Sequence, residues 1–81
     1  MKVEIRTFYE DHKNGELLET WRLGSNGHAT CDDSSKQAEV EQDGIIGKGG
    51  RKYFPKDGEA FLRNYPYEYA NSSFTRAIII E

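Results

Sequence analysis

The sequence predicts a small α+β domain: a mainly antiparallel sheet, built from an N-terminal hairpin and a C-terminal strand, with one or two short helices on one face. Three observations carry this. The first residues alternate apolar and polar side chains around Asn14-Gly15, and the segment from Lys56 to Tyr65 has apolar residues at helical spacing between two prolines. The last residues, Phe74 to Ile80, are rich in β-branched side chains.

In the first segment Val3, Ile5, Thr7 and Tyr9 share one side, and in the second Leu17, Trp21 and Leu23 do. Asn14-Gly15 between them predicts a type I′ turn, which needs positive φ at both central positions so that its twist matches the strands. Glu19 interrupts the second apolar side. It implies either a strand partly open to solvent or a local change of register. Gly24-Ser25-Asn26-Gly27 ends the hairpin, because these residues favour turns over ladder pairing. Ser34-x-x-Gln37 then has capping-box spacing, which predicts a short helix over Ser35 to Asp43 stopped by Gly44. Ala38 and Val40 in that stretch alternate as in a strand, so the period does not decide between helix and strand.

Ile45-Ile46 leads into the glycine cluster Gly47, Gly49 and Gly50, after which Arg51 to Phe54 reads as extended up to Pro55. Beyond it, Lys56-Asp57-Gly58-Glu59 opens a helix with Asp57 as N-cap and Ala60, Phe61, Leu62 and Tyr65 as its apolar stripe. Pro66 ends that helix, since proline disfavours α geometry at Tyr65 and donates no backbone hydrogen bond. The final strand is apolar on both sides near Ile78-Ile79-Ile80, as a buried central strand would be. Exposed, such a strand would invite aggregation.

With 81 residues and no shift of composition along the chain, one domain over residues 1–81 is expected. A domain of this size buries only roughly 60 to 65% of the surface of its unfolded chain, so the core is thin. One Trp, five Tyr and four Phe are still enough to pack it. No stretch approaches the roughly 18 to 20 apolar residues of a membrane span, and Met1 to Arg6 lacks the continuous apolar run of a signal peptide. A cytoplasmic protein is expected. The single cysteine, Cys31, makes no internal disulfide and agrees with a reducing compartment. In that setting the glycosylation-type triplet Asn71-Ser72-Ser73 has no meaning. The net charge of −3 argues against non-specific adhesion to nucleic acid, which needs a basic surface.

Ile45-Ile46-Gly47-Lys48-Gly49-Gly50 followed by Arg51-Lys52 resembles the invariant loop of K-homology domains. Their fold implies two strands, a helix, the glycine loop, a helix and a strand, and their function implies clamping a single-stranded nucleic-acid backbone. By that resemblance Gly47, Lys48, Gly49, Gly50, Arg51 and Lys52 would form the nucleic-acid loop. The chain departs from the family directly after the loop, where Tyr53-Phe54-Pro55 and Asp57-Gly58 stand in place of a helix. On the residues alone, the glycines turn the chain between Ile46 and an extended segment. The cluster is no P-loop, because its first glycine is misplaced and Gly49 stands where Ser or Thr is needed. Pro55-x-Asp57-Gly58-Glu59-x-Phe61-Leu62 with Ser73 and Arg76-Ala77 also resembles the ending of small uncharacterised bacterial proteins, a resemblance that implies no activity.

No catalytic constellation is recognisable, and no cofactor is implied. His28-x-x-Cys31 with Asp32 and Asp33 would need His12 nearby to hold a metal or to activate the thiol. The plain reading is a small buried cysteine and a solvated histidine. Asp32-Asp33 and Glu10-Asp11 fall in turns, where carboxylates cap or solubilise.

The remaining feature is Tyr65-Pro66-Tyr67-Glu68-Tyr69. An extended run of three tyrosines beside a thin core leaves some of them exposed, and exposed tyrosine is enriched at interfaces. The alternative is that Tyr65 closes the helix onto the core and the others cover the sheet edge. The leading expectation is a non-enzymatic interaction module that binds a protein partner or a second copy through Tyr65, Tyr67 and Tyr69. Single-stranded nucleic acid on residues 47–52 is the alternative.

Overall fold

A computed structural model of the protein describes residues 1–8, 15–70 and 72–81. In chain order the elements are β1 (Lys2–Thr7), β2 (Glu16–Leu23), β3 (Ala29–Cys31), α1 (Ser34–Asp43), β4 (Ile45–Ile46), β5 (Lys52–Tyr53), α2 (Glu59–Asn64) and β6 (Thr75–Ile80). One antiparallel sheet has the order β3-β2-β1-β6, and β4 with β5 forms a separate two-stranded ribbon. This is the α+β architecture the sequence predicts, with N-terminal hairpin and C-terminal strand in one sheet. Among the described residues no helix is long and apolar enough to cross a membrane.

Alternation sorts the faces. Val3, Ile5 and Thr7 of β1 point to the core, whereas Lys2, Glu4 and Arg6 lie on the opposite face, where Glu4 pairs with Lys2 at 3.7 Å and with Arg6 at 3.2 Å. Val40 of α1, Ile45 of β4, and Phe61, Leu62 and Tyr65 from α2 and its end close over Val3, Ile5, Trp21 and Ala29. Trp21, Phe61 and Tyr65 meet as a tilted aromatic trio with centroids 4.9 to 5.3 Å apart. Fully buried rings of this size contribute the largest share of a thin core.

The first hairpin differs from its expectation at the turn. Glu16 pairs with Thr7, and Asn14 of the expected Asn14-Gly15 turn, like Tyr9, lies outside the described residues. Gly15 is not among the glycines with positive φ. Glycine is needed there because a Cβ would stand 2.1 Å from the Thr7 carbonyl oxygen. The ambiguity at Glu19 resolves as a register change: Ile5 pairs with Glu19 and Arg6 with Leu17, leaving Leu18 as the extra residue of a bulge. Past the bulge Glu19 faces the core and is buried.

The turn at residues 24–27 leads into a strand the sequence did not signal, β3, which pairs with β2 through Trp21 and Cys31. Helix α1 follows and stops at Gly44, whose φ is +68°, as expected. Its cap is Asp33 rather than Ser34: the Asp33 carboxylate accepts from the amides of Ser35 and Lys36. Residues 55–57 make a 3-10 turn, in which Asp57 accepts from the Phe54 amide instead of capping α2. α2 begins only at Glu59, and Ala60 is exposed rather than part of its buried stripe. Residues 65–69 form another 3-10 turn, not the extended run that Pro66 suggested, because proline fits the first turn of a helix.

β6 is an edge strand beside β1, not a central one. Thr75, Ala77 and Ile79 lean on the core face, while Ile78 and Ile80 keep 38% and 37% of their surface on the other. Apolar residues on both sides imitate a central strand, but the helices cover only one face of this sheet.

Candidate binding groove

The two segments singled out in the sequence as rival sites are walls of one cleft. Residues 46–49 form one wall, residues 67–70 the other, and Lys36 of α1 stands at the end of an open space of about 660 Å³. The walls meet because the β4–β5 ribbon packs against the turn that follows α2. Asn64, the last residue of α2, fixes the ribbon: its side-chain oxygen accepts from the Lys48 amide at 3.1 Å while its amide nitrogen donates to the Ala60 carbonyl at 2.8 Å. Gly49 and Gly50 turn the loop with φ of +76° and +78°, a region that suits residues without a Cβ. Gly47, Lys48 and Gly49 line the cleft; Gly50, Arg51 and Lys52 do not. Lys52 instead places its ammonium 6.0 Å from the centre of the Phe54 ring.

The three tyrosines part company. Tyr65 is fully buried in the core, which removes it from any contact surface; Tyr69 is half-buried and Tyr67 remains 47% exposed. In a 3-10 turn side chains recur every third residue, so neighbouring positions face different ways and one turn can serve core and surface together. Ile46 opposite is 52% exposed.

Behind the cleft runs a buried polar chain that pattern reading missed. Tyr69 donates to the Tyr65 hydroxyl at 3.4 Å, Tyr65 donates to the Glu19 carboxylate, and the Trp21 indole N–H donates to the same Glu19 oxygen at 2.8 Å. Burial pushes the Tyr69 hydroxyl up to about 12, and burial with the Glu19 carboxylate pushes Tyr65 well above the ordinary tyrosine range. Both stay neutral donors at physiological pH. The Glu68 carboxyl on the wall is raised by burial, against the pull of Lys36. The only trace of this chain in the sequence is Glu19 itself, as a carboxylate in an otherwise apolar alternation.

The thiol and histidine do not combine. Cys31 accepts from the Asp33 amide at 3.4 Å and lies 3.6 Å from the Asp32 carboxylate; burial pushes the thiol up to about 12, so the nucleophilic thiolate is scarce at neutral pH. His28 is engaged by Glu41 at 2.7 Å, a contact that lowers the Glu41 carboxyl. His12 lies outside the described residues, and among the described residues no group of three or more His, Cys, Asp and Glu is placed to hold a metal. No family model, no curated protein and no solved structure matches the chain.

Proposed function

We propose that the protein is a non-enzymatic module that binds another protein, taking a segment of its partner into the groove between residues 46–49 and 67–70. One observation carries this reading: Ile46 and Tyr67, two of the most exposed large apolar side chains, face a common cleft together with Lys36 and Lys48. The apolar floor is bordered by both signs, Lys36 and Lys48 with Glu68, and Lys36 is drawn to Glu39 at 3.7 Å; a segment that presents an apolar side chain, with a carboxylate near Lys48, suits it. The internal bonding of the glycine loop favours a protein over a phosphate backbone. The Gly47 amide donates to the Arg51 carbonyl, the Lys48 amide to Asn64 and the Gly50 amide to the Gly47 carbonyl, so donors that would cradle a phosphate are already committed.

Selection from a random displayed-peptide library tests this. Wild-type protein is expected to enrich peptides with an aromatic or aliphatic residue next to Asp or Glu, and Tyr67→Ser with Ile46→Ser is expected to lose the enrichment while keeping the wild-type unfolding midpoint. Equal selection by wild type and double variant would refute the groove as the binding surface.

A further inference from the structure

We infer that a second copy of the chain pairs with β6, so that two sheets join antiparallel across their open edges. The two edges of the sheet are treated differently. At the β3 edge Gln37 of α1 acts as a substitute strand: its side-chain oxygen accepts from the Cys31 amide at 2.5 Å and its amide nitrogen donates to the Ala29 carbonyl at 3.1 Å. That edge is closed. β6, longer and straight in register, carries no proline or bulge, and Arg76 is its one charged side chain.

The pairing pattern shows which groups β6 leaves outward. The Phe8 amide donates to the Phe74 carbonyl, so Phe8 and Phe74 exchange ladder bonds, and with strict alternation so do Arg6 with Arg76, Glu4 with Ile78 and Lys2 with Ile80. The backbone groups of Thr75, Ala77 and Ile79 therefore point away from β1. The Thr75 amide confirms the direction by bonding the Ser72 hydroxyl at 2.9 Å; among the described residues nothing takes the amides of Ala77 and Ile79.

These outward groups are self-complementary about Ala77. With Ala77 opposite Ala77 of the second copy, the two alanines exchange both backbone bonds, and each Ile79 amide meets the Thr75 carbonyl of the other copy, as a two-fold interface requires. On the open face the same register sets Phe74, 54% exposed, opposite Ile80, and Arg76 opposite Ile78. Exposed apolar side chains thus cover one another, and the one cation of the strand meets an isoleucine rather than its own copy. The match of the strand to itself selects a second copy over a foreign strand. No residue that lines the groove belongs to β6, but the turn that forms one groove wall packs against β6, so a groove variant is needed as a control to separate the two surfaces.

Sedimentation of the full chain over a range of concentrations tests the pairing, with hydrogen exchange as a second readout. Wild type is expected to dimerise reversibly, and the Ala77 and Ile79 amides to become protected only at concentrations where it does. Ile78→Lys puts a cation opposite Arg76 of the other copy yet beside Glu4 of its own β1, so it should keep the fold and weaken dimerisation by about three- to tenfold. Adding Arg76→Glu to that variant should restore it. Wild-type protein that stays monomeric throughout would overturn the inference, as would a dimer indifferent to Ile78→Lys but lost in Tyr67→Ser.

Discussion

Glu19 is the residue on which the interior turns. A carboxylate in a core costs several kcal/mol of lost hydration unless donors replace the water. Trp21 and Tyr65 supply those donors from two elements, so the carboxylate ties β2 to the turn after α2. Glu19→Ala leaves the indole N–H and the phenol hydroxyl without their acceptor, and at about 1 to 3 kcal/mol for each such buried group the loss should be about 2 to 4 kcal/mol, since Tyr65 can turn to Tyr69. Glu19→Gln keeps an acceptor oxygen and should lose less. Urea unfolding followed by Trp21 fluorescence measures both, and an alanine variant with the wild-type midpoint would show that the carboxylate contributes nothing. The sequence marks Glu19 as an interruption but not its partner, because Tyr65 lies 46 positions away and nothing local encodes that contact. Gly15 shows the same limit: the need for glycine is readable, but its cause is a backbone approach to Thr7 rather than a turn type.

At the scale of elements, local signals were legible and sheet order was not. The alternation of β1, the glycine that stops α1 and the apolar pair Phe61-Leu62 each specify their element within a few residues. β3 escaped because Ala29-Thr30-Cys31 is too short to show a period, and it is held by a side chain from the next element. Gln37 was readable as half of a capping box, yet with Asp33 as the cap its amide is free to close the β3 edge. Gln37→Ala should then lower stability by about 0.5 to 1.5 kcal/mol, the net range for a hydrogen bond between part-buried groups, and should speed exchange of the Cys31 amide before other sheet amides. Gln37→Glu keeps the acceptor for Cys31 but not the donor for Ala29, and should fall between. If exchange at Cys31 is unchanged in both, the edge is closed by something other than Gln37. β6 was readable as a strand, but its place at the edge follows from strand order, which no property of Thr75 to Ile80 reveals.

On the scale of the whole molecule, the groove was half legible: both walls were named from composition, and their meeting depends on the packing of the β4–β5 ribbon against the tyrosine turn. That meeting also bears on nucleic acid, since a cation beside exposed tyrosine is what a single strand would use for stacking. Three features oppose it. The chain carries a net charge of −3, the loop amides are committed internally, and β5 and a 3-10 turn separate the glycine loop from α2, so no helix N-terminus follows the loop to receive a phosphate. If Lys48, Arg51 and Lys52 nevertheless met phosphates, affinity would fall by roughly 0.7 log unit per log unit of salt for each contact. Lys48→Asp with Gly49→Asp would then abolish binding without unfolding, because nothing lies within 4 Å of a Cβ at Gly49 and aspartate tolerates positive φ better than most residues. The expected result is no measurable binding of mixed single-stranded RNA or DNA by wild-type protein at moderate salt. Tight, salt-sensitive binding that disappears in the double variant would reverse the ranking and make the groove a nucleic-acid site whose tyrosines stack on bases.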